Sequence, residues 1–165
     1  MAIREIEYFY GIVFSRLISS GISIALKELN YGTKGAYLVN DAVPIFIKYT
    51  AKRLSPWSFN LTREHQDDFQ RAKDQFGVMY LAFVCGRDGV CCIEFDQFKS
   101  VLDYVHDKVE WVRIIRKKNE CYAVRGSDGE LKGKISDSDF PRVILSRLGI
   151  REIGSTGQSE HATRK

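Results

Sequence analysis

The run Val78-Met79-Tyr80-Leu81-Ala82-Phe83-Val84-Cys85, then Gly86-Arg87-Asp88-Gly89, then Val90-Cys91-Cys92-Ile93-Glu94-Phe95 decides the fold. A strongly apolar segment, a four-residue turn rich in glycine and a returning apolar segment spell a β-hairpin. Immediately upstream the period changes. Thr62 is suited to cap a helix running to Phe76, with His65, Phe69, Ala72 and Phe76 as its inner stripe and Gly77 as the residue that ends it. A helix leading straight into an apolar strand is one arm of a layered α/β arrangement.

Working outward toward the N-terminus, Ile3, Ile6, Tyr10, Val13 and Leu17 recur at helical spacing and predict a helix over 2–19. Residues 22–29 alternate and predict a strand. Residues 36–39 and 44–50 predict two more, with Pro44 at a strand's first position. Trp57 to Leu61 reads as a short extended piece. Toward the C-terminus, Asp96 to Val105 predicts a short helix and Trp111 to Lys117 a strand. A second hairpin of 121–125 and 131–135 is expected around Ser127-Asp128-Gly129-Glu130, then a helix over 140–148. The expected fold class is α/β (α+β): a central mixed sheet flanked by helices, with a helix-strand-strand-strand-helix-strand core and added hairpins. Residues 1–150 read as one domain and 151–165 as a flexible polar tail.

The composition fits that reading. The chain has 165 residues, 44% of them hydrophobic, with ten Phe, eight Tyr and only three Pro, which suits a packed core rather than disorder. A net charge of +4 permits an anionic partner without requiring one. Cys85, Cys91, Cys92 and Cys121 form no C-x-x-C pair, and adjacent Cys91 and Cys92 point to opposite faces of a strand. They read as buried thiols in a reducing compartment. Charged Arg4, Glu5 and Glu7 argue against a secretory signal, and no apolar run is long enough to span a bilayer. A cytoplasmic protein without a membrane partner is expected. No phosphate-binding glycine loop, nucleophile elbow or histidine metal motif occurs.

Two groups of residues point to chemistry. The first is Asn40-Asp41 with Phe46-Ile47-Lys48. In this order of elements the pair resembles the PD-(D/E)xK, or restriction-endonuclease-like, superfamily. The resemblance implies Asp41 as a Mg²⁺ ligand and Lys48 as the group that stabilises transition-state charge. Phe46 stands where that family's second acid belongs, so the resemblance moves the second ligand to the following helix, at Glu64, Asp67 or Asp68, with Glu5 or Glu7 on the first helix as a further ligand; Glu64 and Glu7 are the ones expected to serve. In the alternative reading Asp41 is a turn residue and Lys48 a solvated strand position. The second group is Lys52, Arg53, Trp57 and Arg63, where basic residues interleaved with an aromatic suit phosphate contact and base stacking. There the alternative is a solvated face with Trp57 as a core anchor.

The expectation is a nucleic-acid-associated protein, a Mg²⁺-dependent nuclease if Asp41, Lys48 and Glu64 are active. The alternatives are a non-catalytic module of the same shape that binds DNA or a partner protein, and a small assembly subunit packing through the aromatic residues at 8–14.

Overall fold

The structure, a computed structural model, describes residues 1–149. The proposed tail at 151–165 lies outside them. The chain begins with helix α1 (Glu5–Ile18), followed by strands β1 (Leu26–Glu28), β2 (Ala36–Val39), β3 (Val43–Thr50) and β4 (Trp57–Leu61). Helix α2 (Arg63–Phe76) leads into the hairpin β5 (Tyr80–Cys85) and β6 (Gly89–Glu94). Helix α3 (Phe95–Val101), strands β7 (Glu110–Ile115), β8 (Ala123–Gly126) and β9 (Gly129–Glu130), and helix α4 (Asp139–Arg147) complete it.

The α+β class and the mixed central sheet are as expected. That sheet has the order β1-β2-β3-β5-β6, and β3 and β5 are parallel while their other neighbours are antiparallel. A parallel pair needs a crossover, and β4 with α2 supplies it. The division into two sheets is a finding the sequence reading lacks. β4 leaves the central sheet and starts a second one, in the order β4-β7-β8-β9.

Period-two alternation puts a core on each face of the central sheet. Ile45, Ile47, Tyr80, Ala82 and Val84 face α1 and α4, where they meet Phe9, Val13, Leu17 and Ile144. Phe46, Leu81, Phe83 and Cys85 face α2, α3 and the second sheet, where they meet Phe69, Phe98, Trp57 and Val112. Cys91 and Cys92 fall on opposite faces, as their adjacency requires. The strand β5 is buried at every position because both its faces are covered.

Three of the departures from the expected element bounds follow from contacts made with other parts of the chain. The strand predicted over 22–29 shortens to β1, because the β2–β3 turn captures its first half. The Asn40 side chain accepts from Ala25 N at 2.7 Å, and Asn40 N donates to Ala25 O at 2.8 Å. Helix α3 stops at Val101 rather than Val105. The Val101 carbonyl accepts from Asp128 N at 3.0 Å, and Val105 N turns to Asp103 Oδ1 at 2.8 Å. The second hairpin ends at Glu130. The chain then bends at Lys132 and Gly133, and one isolated bridge, Tyr122 to Ile135, remains of the expected strand.

Candidate functional site

A cleft of about 340 Å³ opens where β3, α1 and the start of α2 converge. Ile47, Lys48 and Tyr49 form its floor, Gly32, Thr33 and Lys34 one wall, and Glu64 and His65 the opposite lip, with Tyr10 at one end. Local chemistry fixes each part. Alternation along β3 puts Lys48 on the same face as Phe46, the face covered by α2. Thr33 is held by Asp68 of α2, whose Oδ2 accepts from Thr33 N at 2.8 Å and from Thr33 Oγ1 at 2.6 Å. Gly35 has φ +82°, and a Cβ there would lie 2.5 Å from the Tyr10 hydroxyl and 2.8 Å from the Ile47 carbonyl. Glycine therefore lets α1 bring Tyr10 to the cleft.

The start of α2 is closed by a reciprocal cap. Thr62 Oγ1 accepts from His65 N, and His65 Nδ1 accepts from Thr62 N, both at 3.2 Å. The neutral ring then carries its proton on Nε2. Burial, and next the nearby Lys48 ammonium, hold the His65 pKa below its ordinary value. Burial also lowers Lys48 and pushes Tyr10 up to about 12, so Tyr10 stays a neutral phenol. Among the described residues, no hydrogen bond or ion pair engages the Lys48 ammonium. Its charge, that of Lys34 and the amino end of α2 are opposed by the Glu64 carboxylate at the lip and by Asp68 behind the Thr33 wall. The unpaired Lys48 ammonium is the group that an anion entering the cleft would meet.

The structure brings together Lys48 and Glu64 and separates the rest of the expected metal set. Asp41 sits in the β2–β3 turn with φ +55°, next to Asn40 at +49°. Lys48 lies five residues beyond Val43, the first residue of β3, or about 16 Å at ~3.3 Å per residue. Asp41 is therefore remote from the cleft that holds Lys48 and Glu64, and Asp41, Glu7 and Glu64 are not among the described acids whose ligand atoms converge. Glu7 caps its own helix, accepting from Arg4 N at 2.8 Å, and lines a neighbouring cleft with Arg4 and Glu28. Phe46, at the position of the missing acid, is fully buried and meets the Phe69 ring edge-on at 4.8 Å. The proposed Mg²⁺ set of Asp41, Glu7 and Glu64 does not fit an ion, and no catalytic step follows from it.

The basic group is also sorted by the fold. Trp57 is 2% exposed, donates from Nε1 to Lys52 O at 2.9 Å and lies edge-on to Tyr122, so it is a core anchor and cannot stack on a base. Lys52 Nζ donates to Pro56 O at 2.8 Å, which holds the loop, while Arg53 and Arg63 are exposed. Lys52 and Arg53 follow the end of β3, and Arg87 follows the end of the parallel β5. Arg53 and Arg87 line one shallow cleft with Glu5 and Tyr8. Of the aromatics at 8–14, Phe9 stacks on Tyr49 at 4.6 Å and Phe14 meets Tyr37 at 4.8 Å, leaving Tyr8 exposed.

Lys34, Thr33, Tyr10 and His65 are site residues that sequence reasoning missed. The legible signal was the Thr62-x-x-His65 spacing of a reciprocal cap, which puts the imidazole at a helix start rather than only on an apolar stripe. Neither a family model, nor a curated protein, nor a solved structure matches the chain. Among the described residues, no helix is long and apolar enough to cross a membrane.

Proposed function

We propose that this chain is a non-catalytic nucleic-acid-binding module. It seats one backbone phosphate in the Lys48 cleft and others on Lys52, Arg53, Arg63 and Arg87. The observation that carries the reading is Lys48, whose part-buried ammonium has no partner among the described residues and shares its cleft with Lys34 and His65. Leaving a charge part-buried and unpaired costs stability, so it points to a ligand that completes it. The basic residues beyond the carboxyl ends of parallel β3 and β5 support the same face, where open α/β sheets commonly bind ligands. A phosphodiester is a better match than a carboxylate metabolite because further cations, Lys52, Arg53 and Arg87, follow the carboxyl ends of β3 and β5. Hydrolysis has no support, since Phe46 fills the place of the second acid and Asp41 lies at the far end of β3.

The test is fluorescence anisotropy with labelled single-stranded and duplex DNA and RNA at 50 and 200 mM salt, using wild type and Lys48→Gln. Five phosphate contacts predict a loss of about 500-fold in affinity over that range, with a slope of ~0.9 per contact. The same mixtures with Mg²⁺ or Mn²⁺ are run on gels. Failure to bind any of the four at 50 mM salt ends the proposal. Metal-dependent cutting that Lys48→Gln abolishes would restore the nuclease reading.

A protein partner is the second reading. Tyr104, Val105 and Val109 are 65%, 55% and 60% exposed within one short segment beside Trp111. Exposed large apolar groups in such density mark contact surfaces. Serine at Tyr104 and Val109 would then weaken partner binding while leaving nucleic-acid binding intact.

A further inference from the structure

Away from the Lys48 cleft, the end of α3, the start of β7 and the β8–β9 turn meet at three carboxylates. Asp103, Glu110 and Asp128 each present an oxygen, and the three atoms lie within 4.8 Å of one another. The backbone fixes two of them. Asp103 N donates to Asp128 Oδ2 at 3.0 Å, Val105 N donates to Asp103 Oδ1 at 2.8 Å, and Asp128 N donates to Val101 O. Gly126 makes this approach possible, since a Cβ there would lie 2.3 Å from the Val101 carbonyl oxygen.

Glu110 is the unusual member. It is 1% exposed, and neither carboxylate oxygen has a hydrogen-bond partner. A buried carboxylate with both oxygens unmet is strongly unfavourable unless something positive joins it. The neighbouring cation Lys99 is already committed, with Nζ 3.1 Å from Asp103 O and 2.9 Å from His106 Nε2. Among the described residues, no lysine, arginine or histidine makes an ion pair with any of the three acids.

We propose that Asp103, Glu110 and Asp128 bind a hard divalent cation. Carboxylate oxygens without nitrogen or sulfur select such ions. Oxygens opposite one another across an ion are about 4.8 Å apart for Ca²⁺ and about 4.2 Å for Mg²⁺. The three oxygens lie within 4.8 Å of one another, close enough to converge on either ion. Asp128 is exposed, so the ion has a route in and room for water to fill its remaining coordination. Bound there, it ties the segment after α3 to the start of β7 and to the β8–β9 turn and neutralises Glu110. Burial first, then proton sharing with Asp128 and the Asp128 and Asp103 charges, raises the Glu110 pKa.

The full chain is stripped with chelator at pH 7.5, and its melting temperature is followed as Ca²⁺, Mn²⁺ or Mg²⁺ is added. At cation concentrations near 100 times Kd the expected rise is about 5–10 °C. Tb³⁺ gives a second readout. It substitutes for Ca²⁺, and Trp111, the residue after Glu110, sensitises its emission. Glu110→Gln and Asp128→Asn should each abolish the melting shift and the Tb³⁺ signal. Asp128 is exposed, so its variant keeps the test open if Glu110→Gln fails to fold. A melting temperature unmoved by all three cations, or a shift that survives both variants, overturns the proposal. The first result would assign the trio to a proton shared between Glu110 and Asp128.

Discussion

Replacing Lys48 by Met separates a binding residue from a structural one, because the two roles predict opposite signs. Methionine keeps the long stem that packs along β3 and removes only the ammonium. That ammonium has no hydrogen-bond or ion-pair partner among the described residues, and burial lowers its pKa from 10.5. An unsatisfied buried polar group costs about 1–3 kcal/mol. Lys48 keeps partial access to water through the cleft, so the stabilisation on removing it is about 1 kcal/mol, or roughly 2–4 °C in melting temperature. The pH dependence has a defined sign. Between the lowered folded pKa and 10.5 the unfolded chain binds more protons, so wild-type stability rises with pH there and the advantage of the variant shrinks. Nucleic-acid affinity should fall about tenfold, ~1.4 kcal/mol, and the salt slope by about 0.9. Thermal melts from pH 6 to 10 and anisotropy at several salt concentrations read both effects. A variant that melts lower than wild type and binds equally well would refute the reasoning, since Lys48 would then be a structural residue.

Other outcomes follow from particular residues. Phe46→Glu completes a D/E-x-K sequence yet places an unpaired carboxylate in a fully buried aromatic cluster, so it should cost more than about 4 kcal/mol by denaturant melts and yield no nuclease on gels. His65→Gln keeps an acceptor for Thr62 N and removes a ring whose pKa is depressed by burial and by Lys48. Wild-type stability contributed by the neutral ring is lost as pH falls below 6.5, and that loss should be smaller in the variant when urea midpoints are compared at pH 7.5 and 5. Cys85, Cys91 and Cys92 are buried and Cys121 is exposed, so a thiol reagent should label one cysteine quickly in native protein and four in denaturant.

Much of the fold is written in local sequence. The β5–β6 hairpin, the Thr62 cap and Gly77 stop of α2, and strands β2 and β4 all follow from periodicity and turn residues within a few positions of each other. The two-faced burial of Cys91 and Cys92 follows from pleat geometry alone. Composition and apolar alternation were enough to set the α+β class.

Tertiary structure decided the rest. Nothing in Trp57 to Leu61 says that it pairs with residues 110–114 in a second sheet, because strand pairing depends on partners far along the chain. That choice buried Trp57 and removed it from any nucleic-acid role. The ends of α3 and β1 were set by hydrogen bonds from Asp128 and Asn40, which arrive from other elements. Asp41 and Lys48 looked like partners by spacing, yet one lies at the turn and the other well along β3, because an extended chain carries residues apart by over 3 Å at each step. The same extension, closed by folding, gathered Lys34, Lys48 and His65 into one cleft and Asp103, Glu110 and Asp128 into another cluster. Sequence spacing governs neighbours along a strand or helix, whereas charged groups that share a site are chosen by how those elements pack.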